Sequence, residues 1–342
     1  MGCPEPFHTK LAHSSLQKLH HPLPNFDTMI RPISMLALGA IFLGSCGNSA
    51  PEEQPSDEDM TSQDPTTEGP VGLEIQGHRG CRGLLPENTV PGFVLAIREG
   101  ADVLEMDLCI AGDGSVIVSH EPWMSHEICS TPDGQRISAE LERSHNLHKL
   151  TAAQIKTYDC GTALHPRFPD QRKLPAHKPT LAEVVKITET VPLLDRPGRI
   201  RYNMEIKHSI ELEPQFCPDP TTFVQKVLAE VNRLGIADRT CIQSFSAPVM
   251  EEVHKQAPDM TTAWLIESEG AVKDQLNLLT FTPDIYSPHW ALIDAEDVRF
   301  LQEAGIRVIP WTVNEPEDLL TVMEMGVDGM ITDYPDRLHD MR

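Results

Sequence analysis

The chain of 342 residues is short of positive charge: 28 Lys and Arg stand against 51 Asp and Glu, a formal net charge of −23. A surface of that sign repels phosphate polymers and anionic lipid, which argues against nucleic acid or an anionic bilayer face as docking partners. A small anionic substrate can still enter a locally positive pocket. None of the eight cysteines forms a C-x-x-C pair, so a thiolate zinc site has no ligand spacing to rest on. Long apolar runs are also missing. The most hydrophobic stretch, within Met29–Cys46, is too short to span a bilayer comfortably and reads as the core of a signal peptide.

That stretch carries one basic residue, Arg31, and ends in Leu43-Gly44-Ser45-Cys46. The ending resembles a bacterial lipobox, which implies cleavage before Cys46, a lipid on its sulfur and an anchored position on the cell envelope, periplasmic or extracellular. Residues 1–45 are therefore expected to be leader and signal, with translation starting at Met29. Residues 46–72 hold seven acids and no Lys or Arg amid Pro, Ser, Thr and Gly, the composition of a disordered tether. The folded region is expected over 73–342.

Within it, short apolar runs at 73–77, 103–110, 202–206, 240–245, 261–266, 284–288, 307–313 and 329–333 alternate with amphipathic segments at 89–99, 180–190, 221–234, 247–257, 294–304 and 316–325. This pattern predicts a parallel α/β fold, a (β/α)8 TIM barrel, although no clear helix follows the fifth and eighth strands and a doubly wound sheet stays open. An extra strand at 115–119 follows the second across Ala-Gly-Asp-Gly, a hairpin signal. With a two-residue loop, at Gly112-Asp113 or Asp113-Gly114, His120 falls opposite Glu105 or Asp107 and shares its face. Residues 121–178 are too long for a barrel loop and read as an insertion over the mouth, flanked by Cys129 and Cys160, which an oxidising compartment would allow to pair.

Barrel enzymes place their chemistry at the C-terminal ends of the strands. There the first strand runs into His78-Arg79-Gly80, the second carries Glu105-x-Asp107, and the next reaches Glu205-x-Lys207. Charge on an otherwise apolar strand costs several kcal/mol, roughly, unless it is paired or metal-bound. Three carboxylates from two strands suit a hard cation, Mg2+ or Ca2+, better than zinc. The alternative is that they form salt bridges with Arg79 and Lys207.

Taken in order, His78-Arg79-Gly80, Pro86-Glu87-Asn88-Thr89, Glu105-x-Asp107, His120, Pro179-Thr180-Leu181, Asn203-Met204-Glu205-Ile206-Lys207, Gln243-Ser244-Phe245, Trp311-Thr312-Val313-Asn314 and Gly329-Met330-Ile331-Thr332-Asp333-Tyr334-Pro335 resemble the glycerophosphodiester phosphodiesterase family across 75–337. Glu121 departs from the family's usual Asp but keeps a carboxylate. The resemblance implies that Glu105, Asp107 and Glu205 hold the divalent metal and that His78 and His120 act as general acid and base. It also implies that Arg79 and Lys207 neutralise the phosphate, and that Glu87 supports the metal or the substrate hydroxyls. Attack by the neighbouring glycerol hydroxyl, through a cyclic phosphate, follows from the same resemblance, and direct attack by water stays open. Trp311 either packs the glycerol or closes the core. The insertion histidines His126, His145, His148, His165 and His177 show no metal spacing and read as surface residues.

Two other readings use the same residues: a barrel phospholipase of the phosphatidylinositol phospholipase C or sphingomyelinase D kind acting on intact lipid, or a silent surface-binding lipoprotein. The polar insertion offers the first no clear apolar docking rim, and the full set of histidines and carboxylates disfavours the second. Metabolic labelling with a fatty acid is expected to mark the wild type and to fail for Cys46→Ser. Label that persists on the variant removes the lipoprotein reading.

Overall fold

A computed structural model describes residues 72–193 and 198–341. The leader, the Cys46 motif and all but the last residue of the 46–72 tether lie outside them. Among the described residues nine strands follow in chain order: β1 (Glu74–Gly77), β2 (Val103–Ile110), β3 (Val116–Val118), β4 (Arg201–Ile206), β5 (Thr240–Ser244), β6 (Thr261–Ile266), β7 (Ile285–Pro288), β8 (Arg307–Val308) and β9 (Gly329–Thr332). All but β3 are parallel, in the order β8-β7-β6-β5-β4-β2-β1-β9. Hydrogen bonds from Asp328 to Val308, from Ile331 to Pro310 and from Val313 to Ile331 join the last strand to the chain at and beyond β8 and bring the sheet round into a barrel. The fold is the (β/α)8 barrel expected.

The helices are α1 (Val90–Arg98), α2 (Ala152–Ile155), α3 (Leu181–Thr188), α4 (Pro220–Leu234), α5 (Ala247–Gln256), α6 (Val272–Leu276), α7 (Ala295–Glu303), α8 (Pro316–Glu324) and α9 (Pro335–His339). Side-chain caps begin several of them. Thr180 and Glu183 form a capping box on α3, Asp294 and Asp297 form another on α7, and Asp219 caps α4 ahead of Pro220. The connections that lacked a helix in the sequence pattern, after β6 and β9, are filled by α6 and α9. Each has five residues, too few to show a helical period.

Alternation along the strands sends Leu104, Met106, Leu108, Tyr202, Met204 and Ile206 outward against the helices. The inward positions divide the barrel into two halves. β1, β2, β4 and β5 contribute Glu74, Gln76, Glu105, Asp107, Asn203, Glu205 and Gln243, all buried. The opposite side is an apolar cluster of Ala263, Ile285, Ile309 and Ile331.

The hairpin differs from its expected register. Ala111 pairs with Ser115 around a three-residue loop whose Gly114 takes φ 85°, the left-handed position such loops require. Leu108 therefore faces Val118, and Asp107 accepts at its carbonyl from the Ser119 amide. Continued, that register would set His120 against Met106 and away from both acids. His120 reaches the barrel mouth because the chain leaves β3 after Val118 and bends there.

Residues 121–178 form a layer with its own small core, Met124, Cys129, Ile137, Leu147 and Ile155 packed against Cys109 and Ile117 of the hairpin. Cys129 and Cys160 are joined in a disulfide, 31 residues apart. A bridge closing a loop of that length contributes about 3.5–4 kcal/mol by restricting the unfolded chain. Replacing both cysteines by alanine is expected to lower the melting temperature by roughly 5–10 °C. Calorimetry with and without reductant checks this, and a wild type indifferent to reductant would show that the bridge does no such work.

Candidate active site

The turn after β1 builds the first wall of the site. Arg79 adopts φ 49° and Gly80 φ 88°, and a Cβ on Gly80 would lie 2.9 Å from the backbone of Gly92, so glycine is required where the chain passes the start of α1. This turn delivers the Arg79 amide to Glu105 Oε2 at 2.8 Å. Asn88, at φ 54°, donates its side-chain amide to Asp107 Oδ2 at 2.7 Å.

Glu105 and Asp107 from β2 and Glu205 from β4 offer oxygens that all lie within 4.8 Å of one another. Burial and the neighbouring carboxylates Asp107 and Glu205 push Glu105 well above the usual carboxylate range. Burial also raises Glu205, with Lys207 opposing. Burial works against ionisation of Asp107 too, but Arg79, His120 and Lys207 overcome it and hold its pKa low. Asp107 Oδ1 is buried without a hydrogen-bond partner. Three crowded acids, two of them resisting ionisation, and a carboxylate oxygen without a hydrogen bond fit a divalent cation.

The cations interlock with these acids. Arg79 Nη1 meets Glu87 Oε1 at 2.8 Å and its Nε lies 3.2 Å from Asp107. Lys207 Nζ sits 2.8 Å from Glu205 and 3.8 Å from Asp107. The salt-bridge arrangement weighed from the sequence is thus present alongside the metal-ligand one, and the same groups serve both.

Each histidine has a carboxylate at Nδ1. His78 meets Asp333 Oδ1 at 2.7 Å, and His120 meets Glu121 Oε1 at 2.7 Å. His78 Nε2 lies 4.0 Å from Glu105. Burial lowers the His78 pKa to about 4, with Arg82 and Arg79 adding to the effect and Asp333 opposing it. Asp333 is itself gripped by Arg82 at 2.9 and 3.1 Å and by the Asn314 amide at 2.7 Å.

These groups surround a cavity of about 620 Å3, within the usual range for small-ligand sites. Of the residues singled out in the sequence, His78, Arg79, Glu105, His120, Glu205, Lys207 and Trp311 line it. Asp107 lies just behind, in contact with Arg79 and Lys207. Glu87 does not reach the cavity wall. It binds Arg79 and accepts from His165, and so braces the guanidinium from behind the wall. Trp311 donates Nε1–H to the Ser287 carbonyl and stands edge-on to Phe245 at 5.4 Å, half-buried at the apolar side.

Residues given no role in the sequence pattern complete the site. Arg82, Arg167, Gln243, Phe245 and His289 line the cavity, Asp333 binds His78 there, and Asn88 binds Asp107 behind it. Asp333 was detectable as an acid at the end of a buried strand. His165 was not, because it comes from the insertion. It is 2% exposed and bonded to Glu87, which corrects its reading as a surface residue.

The sequence model of the glycerophosphoryl diester phosphodiesterase family matches residues 78–337. A glycerophosphodiester phosphodiesterase of Caldanaerobacter subterraneus subsp. tengcongensis is 28% identical over 264 residues, 77% of this chain and 95% of the relative. One from Bacillus subtilis is 28% identical over 279 residues, 78% of this chain and 85% of the relative. A solved structure from Silicibacter pomeroyi, of a protein assigned to the glycerophosphoryl diester phosphodiesterases, superposes with a TM-score of 0.70 at 29% identity, covering 80% of this chain and 95% of its own.

The low pKa of His78 has a consequence for stability. Between pH 6.5 and about 4 the unfolded chain binds a proton that the folded chain refuses, so this contribution is full above the window and lost as pH falls through it. Urea unfolding of chelated protein at pH 7 and pH 5 should show the wild type losing about 2 kcal/mol more than His78→Gln. Equal losses would show that His78 is not held neutral.

Proposed function

As a member of the glycerophosphoryl diester phosphodiesterase family, this chain is a phosphoric diester hydrolase, and we propose that it cleaves glycerophosphodiesters, the deacylated phospholipids, to glycerol 3-phosphate and an alcohol with His78 and His120 exchanging the protons. The observation that carries this reading is the pair of imidazoles at one cavity, each with Nδ1 tied to its own carboxylate. Asp333 accepts from Nδ1–H of His78 and so selects the tautomer in which its Nε2 carries a lone pair, while Glu121 accepts from Nδ1–H of His120 and balances the charge of that ring when its Nε2 also holds the proton to be delivered. His78, kept neutral, takes the proton from the attacking hydroxyl. His120 delivers one to the departing alcohol oxygen.

Glu105, Asp107 and Glu205 would hold the divalent cation, Mg2+ or Ca2+, which when bound offsets charge gathering on the phosphoryl oxygens. Arg79 and Lys207 add two fixed positive charges at the same wall, and Glu87 and Glu205 keep them in place. The apolar half of the mouth, with Trp311 and Phe245, excludes water from one side of the substrate.

We further propose that the enzyme is exported and anchored through Cys46. The disulfide between Cys129 and Cys160 supports an oxidising compartment.

Chelation is expected to abolish turnover of glycerophosphocholine, and added Mg2+ or Ca2+ to restore it. Full activity in protein shown by elemental analysis to be metal-free would falsify the metal assignment. His78→Ala and His120→Ala should each slow turnover by about 10²- to 10⁴-fold. Because the two protons move in one reaction sequence, the double variant should lose less than the product of the single losses. A variant with near wild-type turnover and unchanged melting temperature would remove that histidine from the reaction.

A further inference from the structure

A line of side-chain amides runs through the polar half of the barrel from its floor to the three acids. At the floor, Glu74 at the start of β1 accepts from Arg201 Nη1 at 2.7 Å and from Arg307 Nη2 at 2.9 Å. Its other oxygen accepts from Gln76 Nε2 at 2.6 Å. Gln76 Oε1 accepts from Asn203 Nδ2 at 2.8 Å, and the same amino group donates to Gln243 Oε1 at 2.9 Å. Gln243 Nε2 then donates to Glu105 Oε1 at 2.8 Å. Every residue from Glu74 to Glu105 in this line is buried.

The direction of the line is forced from the floor. Glu74, held between two guanidinium groups, is ionised and can only accept. Gln76 must turn its amino group down to Glu74 and its carbonyl up to Asn203. Asn203 must answer with its amino group, whose second hydrogen goes to the Gln243 carbonyl. That leaves the Gln243 amino group for Glu105. Reversing any one amide would set like groups face to face away from water. Asn203 uses both its hydrogens in this way, and its Oδ1 is left buried with no partner. An apolar residue of similar size would avoid that loss, so the donors themselves are what the position requires.

We propose that Asn203 is a positioning residue for the cation site: acting through Gln243, it holds Glu105 as an acceptor, in a sense set by the charge of Glu74 at the far end of the barrel. The proposal rests on the metal reading above. The Arg79 amide, on Glu105 Oε2 at 2.8 Å, secures the second oxygen of the same carboxylate.

Calorimetric titration of chelator-stripped protein with Ca2+ alone tests it. Asn203→Asp is nearly isosteric but only accepts, so both glutamines turn their amino groups toward it and Gln243 presents its carbonyl to Glu105. Ca2+ affinity is expected to fall by about 10- to 100-fold, the usual scale for partners of metal ligands. Charge alone predicts the opposite, since one more buried anion beside a cation strengthens binding. Gln76→Leu touches no ligand but cuts the line from Glu74, and about a tenfold fall is expected. It also stands in if Asn203→Asp does not fold. Wild-type affinity in either folded variant overturns the proposal, as does a loss of affinity that merely follows a loss of melting temperature, or failure of both variants to fold. A wild type that binds neither Ca2+ nor Mg2+ overturns the metal reading itself.

Discussion

Three buried carboxylates with oxygens inside 4.8 Å of one another repel each other unless positive charge intervenes, and the polar half of this barrel is arranged around that repulsion. Arg79 and Lys207 stand on two sides of Asp107, Asn88 donates to it, and Gln243 donates to Glu105. Removing one cation would leave a buried charge unanswered, which costs about 3–5 kcal/mol, so these residues are bound to one another energetically before any substrate arrives. The left-handed backbone at Arg79 and Asn88 persists for the same reason, because each is fixed by what its amide or side chain gives to an acid.

The division of the interior strengthens this arrangement. Ala263, Ile285, Ile309 and Ile331 fill the other half with hydrocarbon, which keeps the local dielectric low and makes each charge pair in the polar half count for more. The same division carries up to the mouth. Ionic groups at the ends of β1, β2 and β4 face an aromatic wall formed by Phe245 and Trp311. A ligand with a charged group and an uncharged backbone therefore finds two different surfaces, which fixes the way round it lies.

Much of this was visible in the residues. Strands buried on both faces read as apolar runs, and acids at alternating positions in such a run, as in Glu105-x-Asp107, have few explanations. What the sequence left unread depended on geometry it does not encode locally. The hairpin loop has three residues rather than two because Asp113 accepts from both Ser115 and the distant Ala152, and that one residue moves His120 out of register with the acids. The strand expected over 307–313 is regular only at Arg307–Val308, although Ile309 and Trp311 go on donating to Tyr286 and Pro288, because Pro310 has no amide hydrogen to give. Gln243 and Asn203 appeared only as parts of a motif, because an amide acquires a role through what stands at its two ends.

His165 joins the insertion to Glu87, and Gln171 donates to the carbonyls of Arg82 and Leu85 on the wall of the site. Arg82 lies over Phe168 at 4.8 Å. The long connection is thus fastened to the same guanidinium groups that line the cavity. It cannot be traded for a shorter one, or for a relative's, as a surface loop can be. Any exchange would have to bring its own donor for Glu87 and its own ring for Arg82, so a change in the segment is also a change in the cavity wall.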